Sequence, residues 1–328
     1  MPKGTNQKLK LYYLSRIMTE KTDDEHALTL PEIKAYLEEY GVTADRKSLY
    51  DDLEALRVLG IDVIGEQRNR NYYYHVGKKQ FEIAELKLLV DAIQSSKFIT
   101  EKKSRELIKK LTGLASDYEA AQLNRQVVVQ GRIKTMNESI YYIVDDIHAA
   151  ISYNRKIRFE YMQWNLEKKL EPRRKDRYEV SPWALTWDDE NYYLIGFDAK
   201  AGQIRHYRVD KMRRIEVTDD KREGQEQFKK FNLAKYARMS FGMFRGEEVK
   251  VTLQFRNDMV GVMIDRFGKD IPINSTNKKD WYETIVDVAL SDQFLGWIFS
   301  LGKNVIVTKP KYVVERFAQE LQVLREQY

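Results

Sequence analysis

VSPWALTWDDENYYLIGFDAKAGQIRHYRVDKMRRIE, residues 180–216, is the stretch on which the reading of this chain turns. Trp183, Leu185 and Trp187 alternate up to an acidic turn, Asp188-Asp189-Glu190. Tyr192 to Phe197 is a short apolar and aromatic run, and Ala201-Gly202 supplies a second turn. The spacing predicts strand, turn, strand, turn, strand. Past Gly202, Arg205, His206, Arg208, Lys211, Arg213 and Arg214 crowd together, interleaved with Tyr207. A small aromatic sheet that concentrates guanidinium groups suits an anion, because the planar fork of arginine donates two hydrogen bonds at once. The alternative is internal pairing of these arginines with Asp198, Asp210 or Glu216. On an uninterrupted strand Arg205 and Tyr207 face one side, His206 and Arg208 the other, so both arginines reach one site only across a bulge or past the strand end.

Outward from this stretch, residues 157–161 and 170–174 are predicted as further strands of the same β unit, with Arg173-Arg174-Lys175 in a turn read as solvated surface. DDKREGQEQ, from Asp219, reads as a linker. Beyond it, extended segments at 248–255, 271–274, 281–290 and 305–307 alternate with helical periodicity at 259–267, 293–301 and 312–326. That β-α-β-β-α-β order predicts a ferredoxin-like α+β unit. Ile264, Phe267, Phe294, Trp297 and Ile298 within it belong to a core or to a dimer surface.

Toward the N-terminus, Leu11, Leu14, Ile17 and Met18 stand at helical spacing over 8–19. Ile33, Tyr36 and Leu37 do so up to Gly41, and Leu49, Leu53, Leu56 and Leu59 up to Gly60. Strands are predicted at 61–64 and 72–76, joined by a polar loop over 66–71. Helix, helix, turn, helix, hairpin is the plan of a winged helix-turn-helix, whose third helix enters the major groove with its N-terminal residues leading. Off the buried stripe there stand Arg46, Lys47, Ser48 and Tyr50, the expected DNA contacts, with Arg68 and Arg70 on the wing for phosphates or the minor groove. A three-helix protein-interaction module is the alternative, and Asp51 and Asp52 count toward it. Residues 81–150 carry helical stripes (Leu86, Leu89, Val90 and Ile93; Leu107, Ile108 and Leu111) broken at Gly113 and Gly131. They read as a helical connector, either a signal path or a passive spacer.

SPWAL, then YYLIGFD, then IRHYRVD resembles the signature of the WYL domain, whose Trp-Tyr-Leu run stands here as Tyr192-Tyr193-Leu194. Lys211 occupies the position after the final Asp where the family usually has Arg. The resemblance implies a small Sm- or SH3-like β-barrel inside a bacterial transcription regulator, preceded by a winged helix and followed by a C-terminal extension. It also implies a nucleic-acid or nucleotide effector and a homodimer. The family's anion pocket falls on Ser181, Tyr193, Arg205, His206, Arg208 and Arg213.

Composition bounds these readings. Of 328 residues 43 % are apolar, without a run long enough to span a membrane, and MPKGTNQKLK lacks the apolar core of a signal peptide. The absence of cysteine excludes disulfides and thiolate metal sites and fits a cytoplasmic location. His26, His75, His148 and His206 show no metal-ligand spacing, so neither metal nor cofactor is expected. With no GxxxxGK[ST], GxSxG or HExxH motif, an enzyme is not expected either; Asp145-Asp146 with His148 reads as a solvated helix face. Net charge is +6, and residues 155–214 hold 15 basic and 10 acidic residues, against 12 and 13 in residues 1–78. A DNA-binding head must therefore work through a local patch.

The expectation is a multidomain α+β chain: winged helix-turn-helix (1–78), helical connector (79–139), WYL effector-sensing barrel (140–220), linker (221–247) and ferredoxin-like dimerisation unit (248–328). Its expected function is a transcription regulator that binds double-stranded DNA under control of an anionic effector, an oligonucleotide or nucleotide. The rival is a single-stranded nucleic-acid-binding accessory protein.

Overall fold

Three end signals in the sequence set out the first helices. Thr29 and Glu32 form a capping box, with Pro31 in the first turn, to open α2 (Leu30–Glu39). Asp45 accepts the Ser48 N–H to open α3 (Arg46–Val58). Gly60, at φ +91°, lets the chain turn away beyond it. With α1 (Lys10–Lys21), these helices bury Leu14, Ile17, Met18, Ile33, Leu37, Leu49, Leu53 and Leu56 in one core. The structure, a computed structural model, describes residues 6–123, 134–229 and 246–328. The chain divides into two compact units, residues 1–138 and 139–328.

The first unit departs from the sequence reading in its sheet. The loop expected at 66–71 is mostly strand: β2 (Val63–Arg68) and β3 (Asn71–Val76) pair from Val63↔Val76 to Arg68↔Asn71. Only Asn69 and Arg70 remain as the turn, and Asn69 takes the left-handed φ of +57°. The polarity that suggested a loop belongs to a solvent-facing ribbon. A short strand without a periodic signal, β1 (Leu28–Thr29), pairs with β3 to give the order β1-β3-β2.

Three helices follow, α4 (Ile83–Ser95), α5 (Glu101–Thr112) and α6 (Asp117–Leu123). Leu86 and Val90 of α4 are buried while Leu89 is exposed. Lys134 Nζ donates to the Ile93 and Ser96 carbonyls and to Ser104 Oγ, satisfying the C-terminal end of α4. Gly131 lies outside the described residues. The start of α6 is joined to the N-terminal helices by buried polar contacts. Ser116 Oγ donates to Asp23 Oδ2 at 2.5 Å, and Asp23 Oδ1 lies 2.7 Å from His26 Nδ1. The His26 ring stacks on Tyr118 with centroids 3.6 Å apart. Lys21–Asp117 and Lys79–Glu119, each at 2.5 Å, flank the joint.

The second unit opens with α7 (Ile140–Ser152), which buries Ile140, Ile143, Ile147 and Ala150. Six antiparallel strands follow: β4 (Arg155–Trp164), β5 (Leu170–Pro172), β6 (Tyr178–Asp188), β7 (Asn191–Asp198), β8 (Gln203–Arg208) and β9 (Met212–Lys221). β4 carries β9 along one side and β6 then β5 along the other; β6 continues onto β7, and β7 onto β8. Phe159, Tyr161, Tyr178 and Tyr207 form a four-ring cluster with centroids 5.4–6.4 Å apart. Phe159 is fully buried at its centre.

The segment read as a linker from Asp219 is structured where described. Residues 219–221 finish β9, which was missed as a strand because an edge strand with a solvent-facing side keeps a polar sequence. Gln225–Lys229 is a short helix, α8. It covers β6 at a bulge between Pro182 and Ala184: Trp183 stacks on Phe228 at 5.2 Å, and its Nε1 donates to the Glu223 carbonyl at 2.9 Å. The Arg222 guanidinium lies 4.1 Å from the centre of the same ring. Gly224, at φ +81°, approaches so closely that a β-carbon would fall 2.1 Å from Phe197 Cγ. Gly224→Ala should therefore destabilise the second unit by about 2 kcal/mol or more, from a left-handed φ combined with overpacking. Chemical denaturation checks this, and an unchanged midpoint would show that the segment is not held there.

The C-terminal part alternates β10 (Glu247–Arg256), α9 (Val260–Phe267), β11 (Asn274–Ser275), β12 (Trp281–Leu290), α10 (Asp292–Ser300), β13 (Val305–Lys309) and α11 (Lys311–Glu326). Its strands lie in the order β11-β12-β10-β13. Of the extended stretch expected at 271–274, only Asn274 is strand. Phe294 and Ile298 are core residues, and Phe267 and Trp297 pack against that core. Ile264 is half-buried.

Candidate functional site

The register of β8 decides which cations can work together. β7 and β8 pair without interruption from Tyr193↔Arg208 to Asp198↔Gln203. With no bulge, side chains alternate, and Arg205 and Arg208 face opposite sides. Arg205 shares its face with Tyr207, and both engage the buried Asp198: the Arg205 guanidinium lies 3.1 Å from Oδ2 and the Tyr207 hydroxyl donates to it at 3.2 Å. Burial pushes the Tyr207 hydroxyl well above its ordinary range, with Asp198 adding to the shift. This corner is internally paired.

Two of the other expected pocket residues also serve the fold. Ser181 is buried, and its Oγ accepts the Glu223 N–H at 2.9 Å, tying β6 to the segment before α8. Tyr193 is buried with Ile195, packed by Ala184, Ile204 and Phe228, and meets the His206 ring edge-on at 6.2 Å. Burial pushes its hydroxyl up to about 12.

Arg208 is the centre of the remaining cations. Its Nε and NH2 donate to the two oxygens of Asp210 at 3.0 and 2.8 Å, and NH2 also donates to Asn191 Oδ1 at 3.0 Å. Its backbone N–H donates to the Tyr161 hydroxyl at 3.1 Å. Arg213 is half-buried and donates to the carbonyls of Asp210 and Met212. Burial holds its guanidinium below the ordinary value. Lys211 sits in the same turn, its ammonium lowered by burial and then by the neighbouring Arg208 and Arg173. Arg173 arrives from the end of β5, where Met162↔Pro172 pairing brings it beside β4. Composition could not reveal Arg173, Tyr161 and Asn191 as members, because strand pairing assembles them; Lys211 stood in the basic run of the sequence but outside the expected pocket.

In the first unit, Arg46 and Lys47 occupy the exposed first turn of α3. Arg46 donates to the Tyr50 hydroxyl through Nε and NH2 at 3.3 and 3.1 Å. Ser48 is occupied: its Oγ donates to the Asp45 carbonyl and accepts from Lys10 Nζ at 2.8 Å, while Lys10 also pairs with Asp52. Of the acidic pair that counted toward a protein-interaction module, Asp52 is thus neutralised and Asp51 remains exposed. Arg68 pairs with Glu66, and Arg70 stands exposed at the ribbon turn.

Residues 142–217 match the family model of the WYL domain. The chain carries a WYL domain. Residues 247–324 match the WCX domain. The match to the WYL domain runs from α7 into β9 and so encloses the Arg208 cluster. Among solved structures, the chain is similar to proteasome accessory factor B/C (PafBC) of Arthrobacter aurescens, at 16 % identity and a TM-score of 0.27, over 100 % of this chain and 50 % of that one. It is also similar to a CRISPR Cas-related protein, at 12 % identity and a TM-score of 0.38, over 89 % of this chain and 76 % of the other. The chain thus spans half the length of the first. No curated protein is similar enough to match. Among the described residues no helix is long and apolar enough to cross a membrane.

Proposed function

We propose that this chain is a non-enzymatic, DNA-binding transcription regulator whose WYL domain senses an anionic, nucleic-acid or nucleotide effector. The observation that carries the reading is the WYL match over residues 142–217, enclosing a basic cluster in which Arg208 grips the Asp210 carboxylate, Arg213 donates to the Asp210 carbonyl, and Lys211 and Arg173 add positive charge nearby. The helix order and β-ribbon of residues 10–76 support a winged helix-turn-helix, with Arg46 and Lys47 leading α3 toward a major groove and Arg70 at the tip of the wing. The strand order β11-β12-β10-β13 supports a ferredoxin-like C-terminal unit. A homodimer would present two recognition helices to a palindromic operator, and a cytoplasmic location fits such a protein.

The test is duplex affinity for the protein's own upstream region against scrambled DNA across a salt series. A specific-to-nonspecific ratio of about a thousandfold or more is expected of a sequence reader. Weak, equal and steeply salt-dependent binding to both would mean that only phosphates are felt, and would leave the autoregulatory site unsupported.

A further inference from the structure

We propose that Asp210 is a built-in stand-in for a ligand phosphate: it fills the fork of Arg208, and an incoming terminal phosphate takes its place beside Lys211 and Arg173. This inference rests on the reading of the WYL domain as an anion sensor and says how that site is occupied and released.

The geometry of the pair is that of phosphate recognition. Two parallel N–H···O bonds from one guanidinium to two oxygens serve a carboxylate and a phosphoryl group equally well. Asp210 is only two residues from Arg208, in the short turn Val209–Lys211, so rotation of its side chain is enough to vacate the fork. The pair is also within reach of solvent, with the Arg208 and Asp210 side chains 36 % and 16 % exposed. Arg208 stays anchored meanwhile: it keeps Asn191 through NH2, and its backbone N–H keeps the Tyr161 hydroxyl. That hydroxyl accepts from Arg208 and so retains a proton to donate to a newcomer.

Charge selects the ligand class. The Arg208 fork holds one carboxylate, while Lys211 and Arg173 add positive charge nearby. A phosphodiester offers one negative charge, as Asp210 does, and gains little by replacing it. A terminal phosphate or diphosphate offers close to two and compensates the site better. The state of Lys211 points the same way. Burial and two neighbouring guanidiniums disfavour its ammonium, a cost that a bound dianion relieves.

Calorimetric titration of the full chain with inorganic pyrophosphate, at fixed ionic strength, tests this. Asp210→Asn and Asp210→Ser should each bind pyrophosphate about tenfold tighter than the parent, since the competitor is gone, and Lys211→Met and Arg173→Met should each bind about tenfold more weakly. Melting temperatures identify the variants that are folded. The proposal is overturned if folded Asp210 variants bind no tighter than the parent, or if Lys211→Met and Arg173→Met bind as it does. Failure of the parent and all variants to bind at millimolar pyrophosphate overturns the anion-sensor reading itself. Binding by the parent with no gain in the Asp210 variants removes only the stand-in.

Discussion

An Arg46→Ala/Lys47→Ala variant will bind duplex DNA about a hundredfold or more less tightly than the parent chain, while its melting temperature stays where it was. Both side chains are exposed in the first turn of α3, and neither contributes to the leucine core beneath. The start of the helix is set by Asp45, which keeps its bond from Ser48 in the variant. Tyr50 orients Arg46 through its hydroxyl and is itself backed by Tyr74, whose hydroxyl is pushed up to about 12 by burial and by Tyr50. The variant therefore removes positioned charge without disturbing the fold. For every phosphate that is no longer neutralised, the slope of log affinity against log salt should become shallower by about 0.9. Anisotropy on a labelled duplex across a salt series reads both quantities. Equal affinity of variant and parent would remove this helix from DNA binding and return the first unit to a protein-interaction role.

Asp23→Ala will destabilise the first unit by about 2–3 kcal/mol, because it strips partners from a buried polar joint. Asp23 is 4 % exposed and takes bonds from Ser116, from the His26 ring and from the backbone of Glu25 and His26. Burial raises its carboxyl, but these bonds outweigh burial and hold it below the ordinary 3.8. A carboxyl lowered on folding binds its proton more weakly in the folded chain. Its contribution to stability is complete above that ordinary value and drains away as pH falls through the lower, folded one. Urea midpoints at pH 7 and at stepwise lower pH should show the gap between parent and Asp23→Ala narrowing only in acid. A constant gap would mean that packing, not the carboxylate, holds the joint.

The helices of the first unit were legible in the sequence because caps and leucine spacing are local signals. Thr29, Asp45 and Gly60 each act within one turn of where they stand. β9 was not legible: MRRIEVTDDK is polar, and only its pairing with β4 makes it a strand. The candidate site divides along the same line. A basic cluster near Arg208 could be read from residue types, but its sorting could not. Whether Arg205 pairs with Asp198 depends on an unbroken β7–β8 register, and Arg173 joins through the β4–β5 pair, well before Arg208 in the sequence.

The pairing of β4 with β9 sets Arg155 opposite Lys221, so the sheet begins and ends at one corner. A segment whose two ends meet can be carried as a cassette between unrelated flanking sequences, because neither the sheet nor its host has to stretch to accommodate the other. This places the join where α7 leads in and α8 leads out, and leaves the Arg208 cluster wholly inside the portable piece.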